Sequence, residues 1–177
     1  MKRRTNGKKG EINSQQLVKD ILDAKILSTS NTGKWDFKAQ LPDGTTKTFE
    51  VKTEPDAITK YGGFSVEIAH KQNSYITSYI TREAWLWDGV KVVKTGLSES
   101  KADAYIFYDN KKQYYLVNSK ALKEWANNLL NKQSPRIVWG GYKKHTLQIQ
   151  IRLEELAKIG MYIDKRKKPG RKPKNEK

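Results

Sequence analysis

Trp35 to Glu54 reads WDFKAQLPDGTTKTFEVKTE, and the fold is decided by how this stretch is parsed. Trp35, Phe37, Ala39 and Leu41 alternate with polar residues, which is the period of a half-buried strand. Pro42-Asp43-Gly44 is a turn, because proline fixes one φ angle and glycine accepts a positive one. Thr46, Thr48, Phe49 and Val51 then supply the β-branched and aromatic residues of a returning strand. A hairpin is therefore expected, with Asp36 near the start of its first strand and Glu50-Val51-Lys52 in its second. Residues two apart share a strand face, so Glu50 and Lys52 point the same way.

Two carboxylates and a lysine converging at a sheet edge have a natural chemistry. Mg²⁺ takes oxygen ligands and keeps several waters, so one or two carboxylates plus a substrate phosphate suffice to hold it. The ion polarises a phosphoryl oxygen and lowers the pKa of bound water, and a neighbouring lysine orients that water or stabilises charge on phosphate. The plain alternative is a solvated strand face, ordinary in a chain with 31% charged residues.

Asp36, Glu50 and Lys52 in this order resemble the PD-(D/E)xK nuclease superfamily, whose signature is an acid, a strand turn, then acid-x-Lys. The proline that often precedes the first aspartate is replaced here by Trp35. The resemblance implies an α/β fold with a central mixed β-sheet flanked by helices, a restriction-endonuclease-like core. It also implies a metal held by Asp36, Glu50 and the Val51 carbonyl, with Mg²⁺ the cofactor and Mn²⁺ able to substitute.

Further segments extend the resemblance toward phage-type, Holliday-junction-resolvase-like endonucleases. Glu11 precedes an apolar stripe of Ile12, Leu17, Val18, Ile21 and Leu22, a helix read over 11–25 with Asn13 or Ser14 as N-cap. Glu11 matches in order the first-helix catalytic glutamate of those nucleases, although an acid at a helix entry also serves the helix dipole. Val66-Glu67, in an alternating strand over 64–70, matches their Val-Glu pair. Glu67 is expected either to orient water and hold Lys52, as an accessory residue, or to face solvent. Gly96-Leu97 and Ala102-Asp103 follow another of their motifs, with a short helical turn over 98–102 before a strand. Ser98, Ser100 and Lys101 would contact DNA phosphates there, and Asp103 would anchor the loop.

The rest of the chain is read from its own pattern. Residues 56–63 form a loop, and 74–82 a short helix or loop. Trp85 and Trp87 lie in a hairpin over 84–93 turning at Asp88-Gly89, and serve as core or dimer-interface residues or as base-stacking platforms. Strands follow at 113–117, 137–139 and 147–151. A helix over 119–131 is expected with Ser119 as N-cap, and another over 153–159 stopped by Gly160. His70 and His145 have no ligand-spaced partner.

The chain has 177 residues, no cysteine and a formal net charge of +16, with pI near 9.8. Disulfide frameworks and thiolate metal sites are excluded, and a polyanionic partner is indicated. No apolar run approaches the length of a membrane span, so a cytoplasmic protein without membrane partners is expected. Residues 1–10 carry +5 and residues 165–177 carry +7, leaving +4 for the body over 11–164. Both ends are expected to be disordered basic arms. The C-terminal one (Lys165, Arg166, Lys167, Lys168, Arg171, Lys172) is similar to an AT-hook around 169–173, though Lys172 interrupts the Gly-Arg-Pro core. It is read either as that or as a generic phosphate-binding tail.

Taken together, these readings predict a Mg²⁺-dependent DNA endonuclease of phage or mobile-element type, acting as a homodimer and directed to branched or junction DNA. Two alternatives stand beside it: a sequence-specific restriction-type enzyme, and a non-catalytic DNA-binding protein on the same scaffold.

Overall fold

Two β-sheets face each other across one core, and a long helix covers the outer face of the larger sheet. The structure, a computed structural model, describes residues 2–30, 34–72, 84–134, 136–140 and 144–165, with side chains from residue 7 onward. The six-stranded sheet has the order β1 (Lys25–Thr29), β2 (Phe37–Gln40), β3 (Thr46–Thr53), β7 (Ala104–Tyr108), β8 (Gln113–Asn118), β11 (Gly160–Asp164). It is mixed, with β3 and β7 parallel and its other neighbours antiparallel. The second sheet, β5 (Ala84–Trp87), β6 (Val90–Lys94), β4 (Gly63–Lys71), β10 (Thr146–Arg152), β9 (Ile137–Gly140), is antiparallel throughout. With α1 (Lys2–Leu22), α2 (Ser119–Asn131) and α3 (Leu153–Ile159), the class is α/β as expected.

The expectation of one central sheet is corrected by this division. β4 follows the Glu-x-Lys strand in sequence but pairs with β10 and β6, not with β3. The parallel partner of β3 arrives only after three strands of the other sheet have been laid down. The 56–63 loop that makes the transfer contains a single π-helical turn over Ala57–Tyr61.

Alternation sorts β3 between two cores. Phe49 packs with Phe37, Ile106, Tyr108 and Tyr114 beneath Leu17 and Val18 of α1. Phe37 and Phe49 stack at 4.9 Å between ring centroids. The opposite face, through Tyr105, Phe107, Tyr115 and Val117, joins Phe64, Val66, Ile68 and Leu147 of the second sheet. The β2–β3 turn forms as read: Asp43 Oδ1 accepts from Thr45 N at 2.9 Å, and Gly44 has φ +83°. Asp88 and Gly89, at φ 48° and 71°, make the second expected hairpin turn.

Several boundaries differ from expectation. Lys2–Gly10, expected as a free basic arm, forms the first turns of α1. Asn13 and Ser14, expected at the N-cap, are therefore mid-helix: Asn13 Nδ2 donates to the Tyr108 hydroxyl at 3.0 Å, and Ser14 is buried. Helix α1 approaches β3 so closely that a Cβ on Gly10 would lie 1.8 Å from Thr53 Oγ1. At the other end the chain does not turn away after Gly160 but runs on as β11 against β8. Lys165, expected in a free tail, donates its backbone N–H to Lys112 O at 2.9 Å and its ammonium to Asp20. Arg166, Lys167, Lys168, Arg171, Lys172 and the AT-hook-like core lie outside the described residues, as do residues 74–82. The cap of α2 is Asn118 rather than Ser119: its Oδ1 accepts from Lys120 N and Ala121 N at 2.9 and 3.4 Å. Among the described residues no helix is long and apolar enough to cross a membrane.

Candidate active site

The short length of β2 opens the site. β2 pairs with β3 only from Phe37↔Phe49 to Gln40↔Thr46, so β3 runs on past the end of its neighbour. At that step Asp36 N donates to Phe49 O at 2.8 Å, and the Asp36 side chain then takes the place of the next strand residue. Its Oδ2 accepts from Val51 N at 2.6 Å. In an extended strand a residue's N–H and C=O point to the same neighbour, so the Val51 carbonyl faces the same opening. Asp36 is thus fixed to the backbone between Glu50 and Lys52.

Glu50 and Lys52 project from the opposite face to α1, toward the second sheet, and form an ion pair at 2.7 Å. The Glu50 side chain is 13% exposed and that of Lys52 31%, so both sit in the mouth of the opening rather than on a solvated surface. Burial works against the Lys52 ammonium, but the Glu50 carboxylate beside it, with Tyr105 and Asp36, leaves its pKa above the ordinary lysine value. Glu50 Oε2 is buried and has no hydrogen-bond partner among the described residues.

The Asp36 carboxyl is pushed up to about 6. Burial is the main cause, and the neighbouring charges of Glu50 and then Glu11 add to it, against the opposing Val51 N–H and Lys52. Glu11 lies on α1 one residue after the glycine that seats the helix on β3, which explains its influence on Asp36.

Glu67 belongs to β4 of the facing sheet. Its Oε1 is 3.2 Å from His70 Nε2. Burial raises the Glu67 pKa, but His70, Thr95 and the Lys52 charge outweigh it and hold it below the ordinary carboxylate value. His70, read as standing alone, thus has Glu67 as a partner, and Thr146 Oγ1 lies 3.3 Å from its Nε2 as well.

The loop over 95–103 packs on both sheets. Gly96, at φ +51°, comes so near β4 that a Cβ there would lie 2.5 Å from Glu67 O. Asp103 anchors the loop to β3, its Oδ2 accepting from Thr48 N and Thr48 Oγ1, each at 2.8 Å. Ser98 and Lys101 are exposed. Ser100 is buried, its Oγ donating to Lys34 O at 3.4 Å and accepting from Ala102 N at 3.2 Å. That hydroxyl braces the segment entering Asp36.

One residue escaped the sequence reading. Tyr105 lies opposite Glu50 in the β3–β7 register, fully buried, with no hydrogen-bond partner for its hydroxyl among the described residues. Burial pushes it up to about 12, with the Glu50 charge adding to the rise. In sequence it is one member of the apolar run AYIFY, and nothing marks it out.

Among the described residues no group of three or more His, Cys, Asp or Glu side chains stands close enough together to hold a metal ion. The donors that are assembled nonetheless suit a hard divalent cation: two carboxylates, one with a buried unpartnered oxygen, and a backbone carbonyl facing the same opening. Burial, more than the Glu50 and Glu11 charges, raises Asp36, and a cation held there would favour its ionised form. Comparison of the sequence with family models and with curated proteins gives no match to either.

Proposed function

We propose that this chain is a Mg²⁺-dependent DNA endonuclease on a restriction-endonuclease-like core. The observation that carries the reading is the insertion of the Asp36 carboxylate beside Val51, where β2 ends, next to the Glu50–Lys52 pair. That is the acid, strand and acid-x-Lys arrangement on which the resemblance rests, brought together from residues 15 apart.

Asp36, Glu50 and the Val51 carbonyl would hold Mg²⁺, with Mn²⁺ as a substitute and Glu11 assisting from α1. Mg²⁺ when bound supplies a Lewis acid that polarises a phosphoryl oxygen and acidifies water. Lys52, paired with Glu50 as an ammonium, would stabilise charge on the phosphate and act on the attacking water. Glu67, whose carboxylate feels the Lys52 charge from the facing sheet, would be the accessory acid that helps hold it. Cutting both strands of a duplex calls for two such sites, and a homodimer supplies them.

A second reading is a DNA-binding protein that does not cut. It is favoured by the direct Glu50–Lys52 ion pair, which engages the carboxylate a metal would need. Cleavage of plasmid and of a four-way junction with Mg²⁺, Mn²⁺, Ca²⁺ or EDTA separates the two. The nuclease reading expects metal-dependent cutting that falls at least about 100-fold in Lys52→Ala. Tight binding with no cutting in any metal would leave the binding scaffold. Preference for the junction, or for one plasmid sequence, assigns the junction-directed or restriction-type subclass.

A further inference from the structure

We propose that the lysine-lined cleft at the N-terminal ends of β3 and β7 seats the DNA backbone phosphates that flank the scissile position. This deepens the nuclease reading and rests on it for the identity of the strand.

The cleft, about 590 Å³, lies between the start of β3, the 100–103 loop and the first turns of α2. Four lysines line it: Lys47, Lys101, Lys120 and Lys123. Of the two acids there, Asp103 is committed to Thr48, which leaves Glu124 alone against them. Lys123 is internal bracing, its Nζ donating to Ser100 O at 2.8 Å. Lys47, Lys101 and Lys120 are exposed and form no ion pair with another described residue. The N–H groups of Lys120 and Ala121 are capped by Asn118, so the cleft's attraction for anions comes from ammonium groups and not from the helix end. Ser119 also lines it, and its buried Oγ has no partner among the described residues.

The loop that walls this cleft also holds the candidate site. Lys101 N donates to Lys34 O at 3.1 Å, as Ser100 Oγ does, and Lys34 is two residues before Asp36. Two residues of chain span at most about 7 Å. Phosphates advance about 3.4 Å along the duplex axis per nucleotide. A strand whose reacting phosphate lies over Glu50 and Lys52 therefore carries neighbouring phosphates to the cleft rim within a few nucleotides. Three ammonium groups lining one cleft, with no ion-pair partner among the described residues, match a polyanion of regular spacing better than a single small anion.

The test measures binding of a fluorescent DNA duplex by anisotropy between 50 and 300 mM salt, on a Lys52→Ala background with EDTA so that no cutting intervenes. The triple variant Lys47→Gln, Lys101→Gln, Lys120→Gln should flatten the slope of log K against log salt by about three. A control triple, Lys19→Gln, Lys91→Gln, Lys158→Gln, removes the same charge from exposed positions that line no part of this cleft. It should change the slope by less than one. Unchanged thermal melting in both triples shows that folding is intact. Equal slopes for the two triples, no DNA binding by the parent, or tighter binding to an RNA duplex of the same sequence would each overturn the assignment. Cleavage is read separately with the native Lys52: a flattened slope without cutting by the wild type leaves the cleft standing and removes the nuclease reading. Cutting with an unflattened slope does the reverse.

Discussion

The two faces of β3 differ by one residue of register and have opposite physics. Phe49 points to α1 and is 1% exposed, stacked on Phe37 and closed over by Leu17 and Val18. Glu50 and Lys52 point to the facing sheet, where one Glu50 oxygen is buried without a partner among the described residues and the two charges act on Asp36 in opposite directions. One face is optimised for burial, and the other holds polar groups that a folded chain does not need. The strand shows how a fold carries reactive groups without losing stability: the core face anchors the same backbone that displays the acid-x-Lys pair.

The largest effect that would break this contrast is on the core face. Phe49→Ala should cost about 3–5 kcal/mol, because it removes a stacked aromatic from a closed cluster. Replacing Glu50 and Lys52 together by Leu and Met should be near neutral or stabilising in urea melts while abolishing cleavage, since a half-buried ion pair carries a desolvation cost. Similar losses of stability on both faces would show that the polar pair is structural.

Next in size is the pH dependence that Asp36 imposes. Its carboxyl stands at about 6 in the fold, against 3.8 as the ordinary value. Between those values the folded protein holds more protons than the unfolded chain, so this group's contribution to stability falls as pH rises from about 4 to about 6 and is flat above. After discounting for partial exposure the loss is about 2 kcal/mol. Asp36→Asn keeps an acceptor for Val51 N but cannot ionise. The variant's advantage over the wild type should therefore be near zero at pH 4 and grow to about 2 kcal/mol by pH 7, read from urea midpoints. Differencing against the variant cancels groups such as Glu67 and Glu155, whose lowered values act in the other direction. Mg²⁺ at pH 7.5 should restore stability to the wild type alone.

What could be read from the chain, and what could not, follows the same division between local pattern and long-range pairing. The β2–β3 hairpin, the Asp88-Gly89 turn and the α2 stripe are written in residues within a few positions of one another. Strands β1 and β11, the edges of the six-stranded sheet, carry no such mark: four of the five β1 residues are exposed and β11 has no buried residue, so neither shows the alternation of a half-buried strand. The start of α1 was missed because Lys2–Gly10 contains no apolar residue to set a period. The division into two sheets depends on β4 meeting β10, some 80 residues later, and no local signal carries that. In the candidate site, Asp36, Glu50 and Lys52 were legible as residue types at a spacing. That Asp36 would serve as a surrogate strand partner for Val51, and that Tyr105 would lie opposite Glu50, depended on where β2 ends and which strand pairs in parallel.

The smallest effect tests whether that local reading picks the right atom at the start of α2. Ser119 follows the common N-cap preference in sequence, yet Asn118 has the extended backbone (φ −65°, ψ 132°) of a cap and its Oδ1 takes the two amides. Asn118→Ala should therefore cost about 1 kcal/mol, since it strips acceptors from the first turn. Ser119→Ala should be neutral or slightly stabilising, because the buried Oγ it removes has no partner among the described residues. Both residues line the lysine cleft, so the pair also separates helix capping from phosphate binding. If Ser119 bonds DNA, Ser119→Ala weakens binding at constant stability, while Asn118→Ala lowers stability first and affects binding only through the helix it caps.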